Sequence, residues 1–143
     1  TVRNLVNRLR GRHPLLFLCH NKKEYDLAAE LDPAIPRFLP ESTQEYISGL
    51  RQAKAGVCNR LHAAVALGGM GIPSVSVGTD TRLLMVEALG LPYFYVKDAT
   101  VENLEGTLES LLENGQRQSE RLLALRQQTW TQYTEVVRKA LEL

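Results

Sequence analysis

The tripeptide Arg60-Leu61-His62 puts two chemically useful groups within two residues of each other. A guanidinium grips a carboxylate or phosphate through paired hydrogen bonds, and an imidazole exchanges a proton near neutral pH. Side chains two apart project about 200° apart around a helix. Arg60 and His62 therefore converge only on a strand-to-helix turn, with Leu61 anchoring that turn in the core. The alternative is an Arg60 that caps a helix and an incidental surface His62. Asp80 and Arg82 repeat the two-residue spacing further along, and His20 closes an apolar run, where it either faces the same site or points into solvent.

The elements that must position these residues are legible as an alternation of short apolar runs and amphipathic stretches. Val2, Leu5, Val6 and Leu9 recur at helical spacing, and Gly11 closes that helix. Leu15-Leu16-Phe17-Leu18-Cys19 is too short for a buried helix and reads as a strand covered on both faces. A helix over 23–31 follows, then a weak strand at Arg37-Phe38-Leu39. Ser42-Thr43-Gln44-Glu45 has the spacing of a capping box and opens a helix that runs to about Lys54. A strand at 55–58 leads to Asn59 as the N-cap of the next helix, with Leu61, Ala64, Val65 and Gly68 on one face and Gly71 at its end. Strands at 72–77 and 93–96 flank a helix that starts after Gly78-Thr79-Asp80 and ends at Gly90. Two helices finish the chain, meeting at Asn114-Gly115. This order predicts a single α/β domain over residues 1–143: a Rossmann-like, three-layer arrangement with a mostly parallel sheet flanked by helices.

In an open parallel sheet, ligands bind outside the carboxyl ends of the strands. The residues following the strands are His20-Asn21-Lys22, Pro40-Glu41-Ser42, Asn59-Arg60-Leu61-His62, Gly78-Thr79-Asp80-Thr81-Arg82 and Lys97-Asp98. Basic and polar groups thus collect beside helix N-termini, whose amides and dipoles favour an anion. Any α/β domain also places polar loops there. No cluster of Cys and His has metal-ligand spacing, so no metal is expected, and no cofactor. Gly68, Gly69 and Gly71 lie at a helix end, the wrong place for a phosphate cradle. His13, before Pro14, reads as a solvated loop residue, and Trp130 and Tyr133 as core or interface packing.

Seventeen basic residues against sixteen acidic ones, net +1, argue against a nucleic-acid binder. No apolar run reaches the length of a membrane span, and the Arg-rich first twelve residues lack the apolar core of a signal peptide. Cys19 and Cys58 each sit in an apolar run and read as buried thiols, which suits a reducing cytoplasm.

Arg60-Leu61-His62-Ala63, preceded by the strand at 55–58 and followed by an Ala-rich helix, Gly71-Ile72-Pro73 and another strand, resembles the central signature of the polysaccharide pyruvyl transferase family. Asp80 and Arg82 match that family's Asp and Lys, and Leu89-Gly90-Leu91-Pro92 resembles its continuation into the next strand. The likeness is dense over residues 56–92. It implies the C-terminal half of a two-domain architecture like that of the B-type glycosyltransferases, with the site in the interdomain cleft. Family members move a pyruvyl group from phosphoenolpyruvate to two sugar hydroxyls as a ketal. Carried over, Arg60 would bind the donor's carboxylate or phosphate, His62 would act as the acid, and Arg82 would be a second anion contact. Leu61, Asp80 and His20 would complete the substrate-binding set. Arg82 keeps the charge of the family's Lys but not its shape or acidity. The implied partners are phosphoenolpyruvate, a saccharide acceptor and a missing N-terminal domain or partner chain. Self-association through the terminal helices is a further expectation, and the chain alone should be inactive. The rival readings are a nucleotide-sugar-binding domain of a B-type glycosyltransferase, with Glu41 or Glu87 on the ribose, and a non-catalytic anion- or sugar-binding domain.

Overall fold

The computed structural model describes residues 2–79 and 81–141 of the chain. In order, the elements are α1 (Val2–Leu9), β1 (Phe17–Leu18), α2 (Lys22–Leu31), β2 (Arg37–Phe38), α3 (Thr43–Leu50) and β3 (Gly56–Cys58). They continue as α4 (Leu61–Gly69), β4 (Ser74–Gly78), α5 (Leu83–Glu87), β5 (Tyr93–Tyr95), α6 (Val101–Glu113) and α7 (Gly115–Leu141). The chain is an α/β structure in which every described strand pair is parallel.

The strands form two sheets, not the one continuous sheet that the alternation suggests. β1 pairs with β2 in a two-stranded sheet, and β3, β4 and β5 form a three-stranded sheet in chain order. The apolar run at 15–19 contributes only Phe17 and Leu18 to a ladder, and Leu16 is 47% exposed. A continuous apolar run signals burial on both faces, but here one of its members has no layer over it. In the larger sheet, Val57 pairs beside Val75 and Cys58 beside Ser76, while Val77 pairs beside Phe94. Because successive side chains alternate, Val57, Val75, Val77 and Phe94 share one face, and Cys58, Ser74, Ser76 and Tyr93 share the other.

Each face has its own core. Val75, Val77 and Phe94 pack with Leu5 and Leu9 of α1 and Leu104, Leu108 and Leu111 of α6. Cys58 and Tyr93 pack with Ala63, Ala64 and Leu67 of α4, Val86 of α5 and Leu122 of α7. Leu5, Val6 and Leu9 of α1 are therefore buried inside the chain, and of its apolar stripe only Val2 is exposed. Salt bridges from Arg8 to Glu102 and Glu105, and from Arg12 to Glu105 and Glu109, bind its outer side to α6. His13 joins them, its Nε2 lying 3.1 Å from Glu109 Oε1, so it is not a solvated loop residue. The last helix differs: Leu122 is buried, but Trp130, Tyr133, Val136 and Leu141 are exposed and belong to no core. None of the described helices is long and apolar enough to cross a membrane.

Helix entries follow local chemistry. Asn21 caps α2 by accepting from Glu24 N at 2.9 Å, Ser42 caps α3 by accepting from Glu45 N at 3.2 Å, and Thr100 caps α6 by accepting from Asn103 N at 3.1 Å. The capping box at Ser42 forms, with one change: Glu45 Oε2 accepts from the amide of Glu41 at 2.8 Å, one residue before the cap. α3 stops at Leu50, short of the expected Lys54. α4 buries Ala63, Ala64, Leu67 and Gly68, whereas Val65, expected on the inner face, is 45% exposed. The small residues win the inner face because α4 lies close to α7: a Cβ on Gly68 would sit 3.7 Å from Leu122.

Candidate functional site

The carboxyl ends of β3 and β4 carry the residues singled out by type. Cys58 ends β3, and the chain keeps an extended conformation through Arg60, at φ −124° and ψ 130°. Helix α4 then starts at Leu61, so Arg60 and not Asn59 occupies the N-cap position. Arg60 carries only donors, and its side chain makes no cap hydrogen bond to this helix, unlike the N-cap side chains of α2, α3 and α6. Leu61 packs against the core cluster beneath α4, and His62 lies exposed in the helix's first turn. Arg60 thus stands outside the helix and His62 inside it, the arrangement that their spacing requires for a shared site. Arg82 is exposed and directly precedes α5, beyond the carboxyl end of β4. Asp80 lies outside the described residues.

The guanidinium of Arg60 is engaged. Glu24 Oε1, on the first turn of α2, accepts from Arg60 Nε at 3.0 Å and also from Arg60 Nη2. The second carboxylate oxygen, Oε2, accepts from the backbone amide of His20 at 2.8 Å and lies 3.4 Å from His20 Nδ1. The His20 ring packs on Tyr46 of α3, with centroids 5.3 Å apart. Residues from β1's end, α2, α3 and β3's end therefore form one constellation, which bridges the two sheets although no strand ladder joins them.

The electrostatics of this group follow from its partial burial. Burial works to raise the Glu24 carboxyl, but the Arg60 hydrogen bond, the His20 amide and the charges of both residues outweigh it, leaving Glu24 below its ordinary value. Burial pushes the Tyr46 phenol up, the neighbouring Cys58 adds to that, and Arg60 opposes it. The Tyr46 hydroxyl is buried and has no hydrogen-bond partner among the described residues. Burial carries the Cys58 thiol up to about 11. Both cysteines are buried and unpaired.

Of the residues expected at the site, Arg60 and His20 meet through Glu24, while Leu61 and His62 share the turn with Arg60. Glu24 and Tyr46 were not anticipated. The signal for Glu24 was present, because Asn21 and Glu24 have the same capping-box spacing as Ser42 and Glu45. Tyr46 read only as part of an apolar helix face. Two surface concavities, one lined by Asn114, Arg117, Gln118 and Arg121 and one by Lys22, Lys23, Asp26, Leu27 and Glu30, lie away from this constellation. Among the described residues no group of three or more His, Cys, Asp or Glu could hold a metal ion. Comparisons with family models, curated proteins and solved structures returned no match.

Proposed function

We propose that this chain is the donor-binding domain of a pyruvyl transferase acting on phosphoenolpyruvate and a saccharide. The observation that carries the reading is the Arg60 guanidinium, held at the start of α4 and already engaged by a carboxylate. A guanidinium beside a helix N-terminus suits a small anion bearing both carboxylate and phosphate. The ordered string Arg60-Leu61-His62, α4, the turn at Gly71, β4, the turn at Gly90 and β5 supports the family resemblance.

In this reading Arg60 binds the donor's carboxylate or phosphate and Arg82 adds a second cationic contact. His62 delivers a proton to the methylene carbon of the enol, leaving positive charge on the adjacent carbon. One sugar hydroxyl adds there and returns its proton to the now neutral His62, and the second displaces phosphate, which leaves with that hydroxyl's proton, closing the ketal. A further domain, in the same chain or a partner, would supply the acceptor side, and its closure would exclude water from the site. The exposed aromatic stretch of α7 is a candidate surface for such a contact or for self-association. The three-layer Rossmann-like arrangement over one domain and a cytoplasmic location belong to the same proposal.

The test is calorimetric titration of the chain with phosphoenolpyruvate and with a uridine-diphosphate sugar. Phosphoenolpyruvate should bind in preference, and Arg60→Ala should weaken it roughly ten- to a hundredfold, the loss of one charged hydrogen-bonded contact. Preference for the nucleotide sugar would move the chain to the glycosyltransferases. An Arg60→Ala chain that titrates like the original would make Arg60 a structural residue.

A further inference from the structure

We propose that Glu24 is an internal occupant of the Arg60 site, its carboxylate standing where a ligand's carboxylate or phosphate must bind and competing with it. This inference rests on reading Arg60 as the anion contact. Two helices on this side of the chain begin with the same local motif, and their difference carries the argument. In α2 and α3 alike, the third helical residue is a glutamate whose side chain reaches back to the amide before the cap: Glu24 to His20 N, and Glu45 to Glu41 N. One carboxylate oxygen is enough for that task. The second oxygen of Glu24 takes Nε and Nη2 of Arg60, a residue 36 positions away, whereas the described hydrogen bonds of the Glu45 carboxylate stop at Glu41.

The pair is also built for exchange. The Glu24 side chain is 25% exposed and that of Arg60 44%, so an anion from solvent can reach the guanidinium. On displacement, Glu24 keeps a partner, because Oε2 remains bonded to the His20 amide beside the His20 ring. Exchange therefore does not strand a buried charge, the circumstance that makes most partly buried ion pairs costly to break. An incoming dianion would still feel the negative charge of Glu24 at close range. Glu24 thus lowers affinity for every anion that binds at Arg60, by competing for the guanidinium and by repelling the newcomer.

The experiment titrates inorganic phosphate and phosphoenolpyruvate into the original chain, Glu24→Gln, Glu45→Gln, Arg60→Ala and the Glu24→Gln/Arg60→Ala double variant. Glu24→Gln keeps an acceptor for the His20 amide but removes the charge. It should bind phosphate roughly ten- to thirtyfold more tightly, the scale of one unit charge removed from a partly solvated anion site. Glu45→Gln should leave binding unchanged, and the double variant should fall back to the level of Arg60→Ala. Glu24→Asp keeps the charge and the helix start but draws the carboxylate back from Arg60. It should tighten binding by a smaller factor, and it serves if the Gln chain is unstable. Unchanged or weaker binding in both Glu24 variants, with Arg60→Ala still impaired, overturns the inference and leaves the anion-site reading standing. If Arg60→Ala binds as well as its background with and without Glu24, that reading falls and the inference with it.

Discussion

Gly71 turns the chain from α4 into β4 and so sets how the helix bearing the candidate site lies on its sheet. Its φ is +76°, in the left-handed region. Ile72 N donates to Leu67 O at 2.9 Å and Gly71 N to Gly68 O at 3.0 Å, the two bonds of a Schellman cap. A Cβ at this position would lie 2.7 Å from Ser119 Oγ and 2.9 Å from Leu123 Cγ, both on α7. Gly71→Ala therefore meets two penalties. The left-handed backbone costs a residue with a Cβ about 1–2 kcal/mol. Displacing packed neighbours costs about 1–3 kcal/mol. The stiffer unfolded chain returns about 0.4–1 kcal/mol. The expected loss is about 2–4 kcal/mol, read as a lower urea midpoint at unchanged slope. Gly69 is the internal control, since nothing lies within 4 Å of its added Cβ and its φ is not positive. Gly69→Ala should gain about 0.5–1 kcal/mol from helix propensity. Adding Leu123→Ala to Gly71→Ala should recover part of the packing cost, giving a non-additive pair. A Gly71→Ala midpoint within about 0.5 kcal/mol of the original, or an equal loss at Gly69, would refute the account of this turn.

Two further outcomes are expected. With the Cys58 thiol at about 11, only about one in a thousand is thiolate near pH 8. Cys19, also buried, is raised first by burial and then by Glu24. A disulfide-exchange reagent should leave the native chain unmodified and titrate two thiols after denaturation, and fast native labelling of either would contradict their burial. Glu24, Asp32, Glu102 and Glu105 all sit below their ordinary values. The dominant lowering contacts are Arg60 for Glu24, the Ala34 amide for Asp32, its own amide for Glu102 and Arg8 for Glu105. The unfolded chain therefore takes up protons first, and the stability these groups contribute is complete above their ordinary values and lost as pH falls through the folded ones. Urea midpoints should hold from about pH 7 to 5 and drop by about pH 3, less steeply in Glu24→Gln; a flat profile would show that these contacts do not persist in solution.

The features legible in the residues alone are those set by neighbours three to five positions apart. Ser42 with Glu45, Gly71 and the Asn114 stop are local, and the structure places helix ends at them, whereas α5 stops at Glu87, before Gly90. The alternation of apolar runs and amphipathic stretches also determined the α/β class and the parallel pairing, because a strand followed by a helix returns to the sheet in the same direction. Burial of the two thiols followed from the apolar runs around them.

What the tertiary structure decided depends on distances that no spacing encodes. Leu16 belongs to an apolar run yet faces outward, because burial on the second face requires a layer that the chain does not supply there. Val65 lost the inner face of α4 to Ala63 and Gly68, since closeness to α7 favours small side chains over apolar ones. His13 found Glu109, and Arg60 found Glu24, only because α1 lies beside α6 and the start of α2 beside the end of β3. Residue types could mark Arg60 as a cation in search of an anion. Which anion holds it was settled by packing, because a charge pairs with whatever the fold brings within reach.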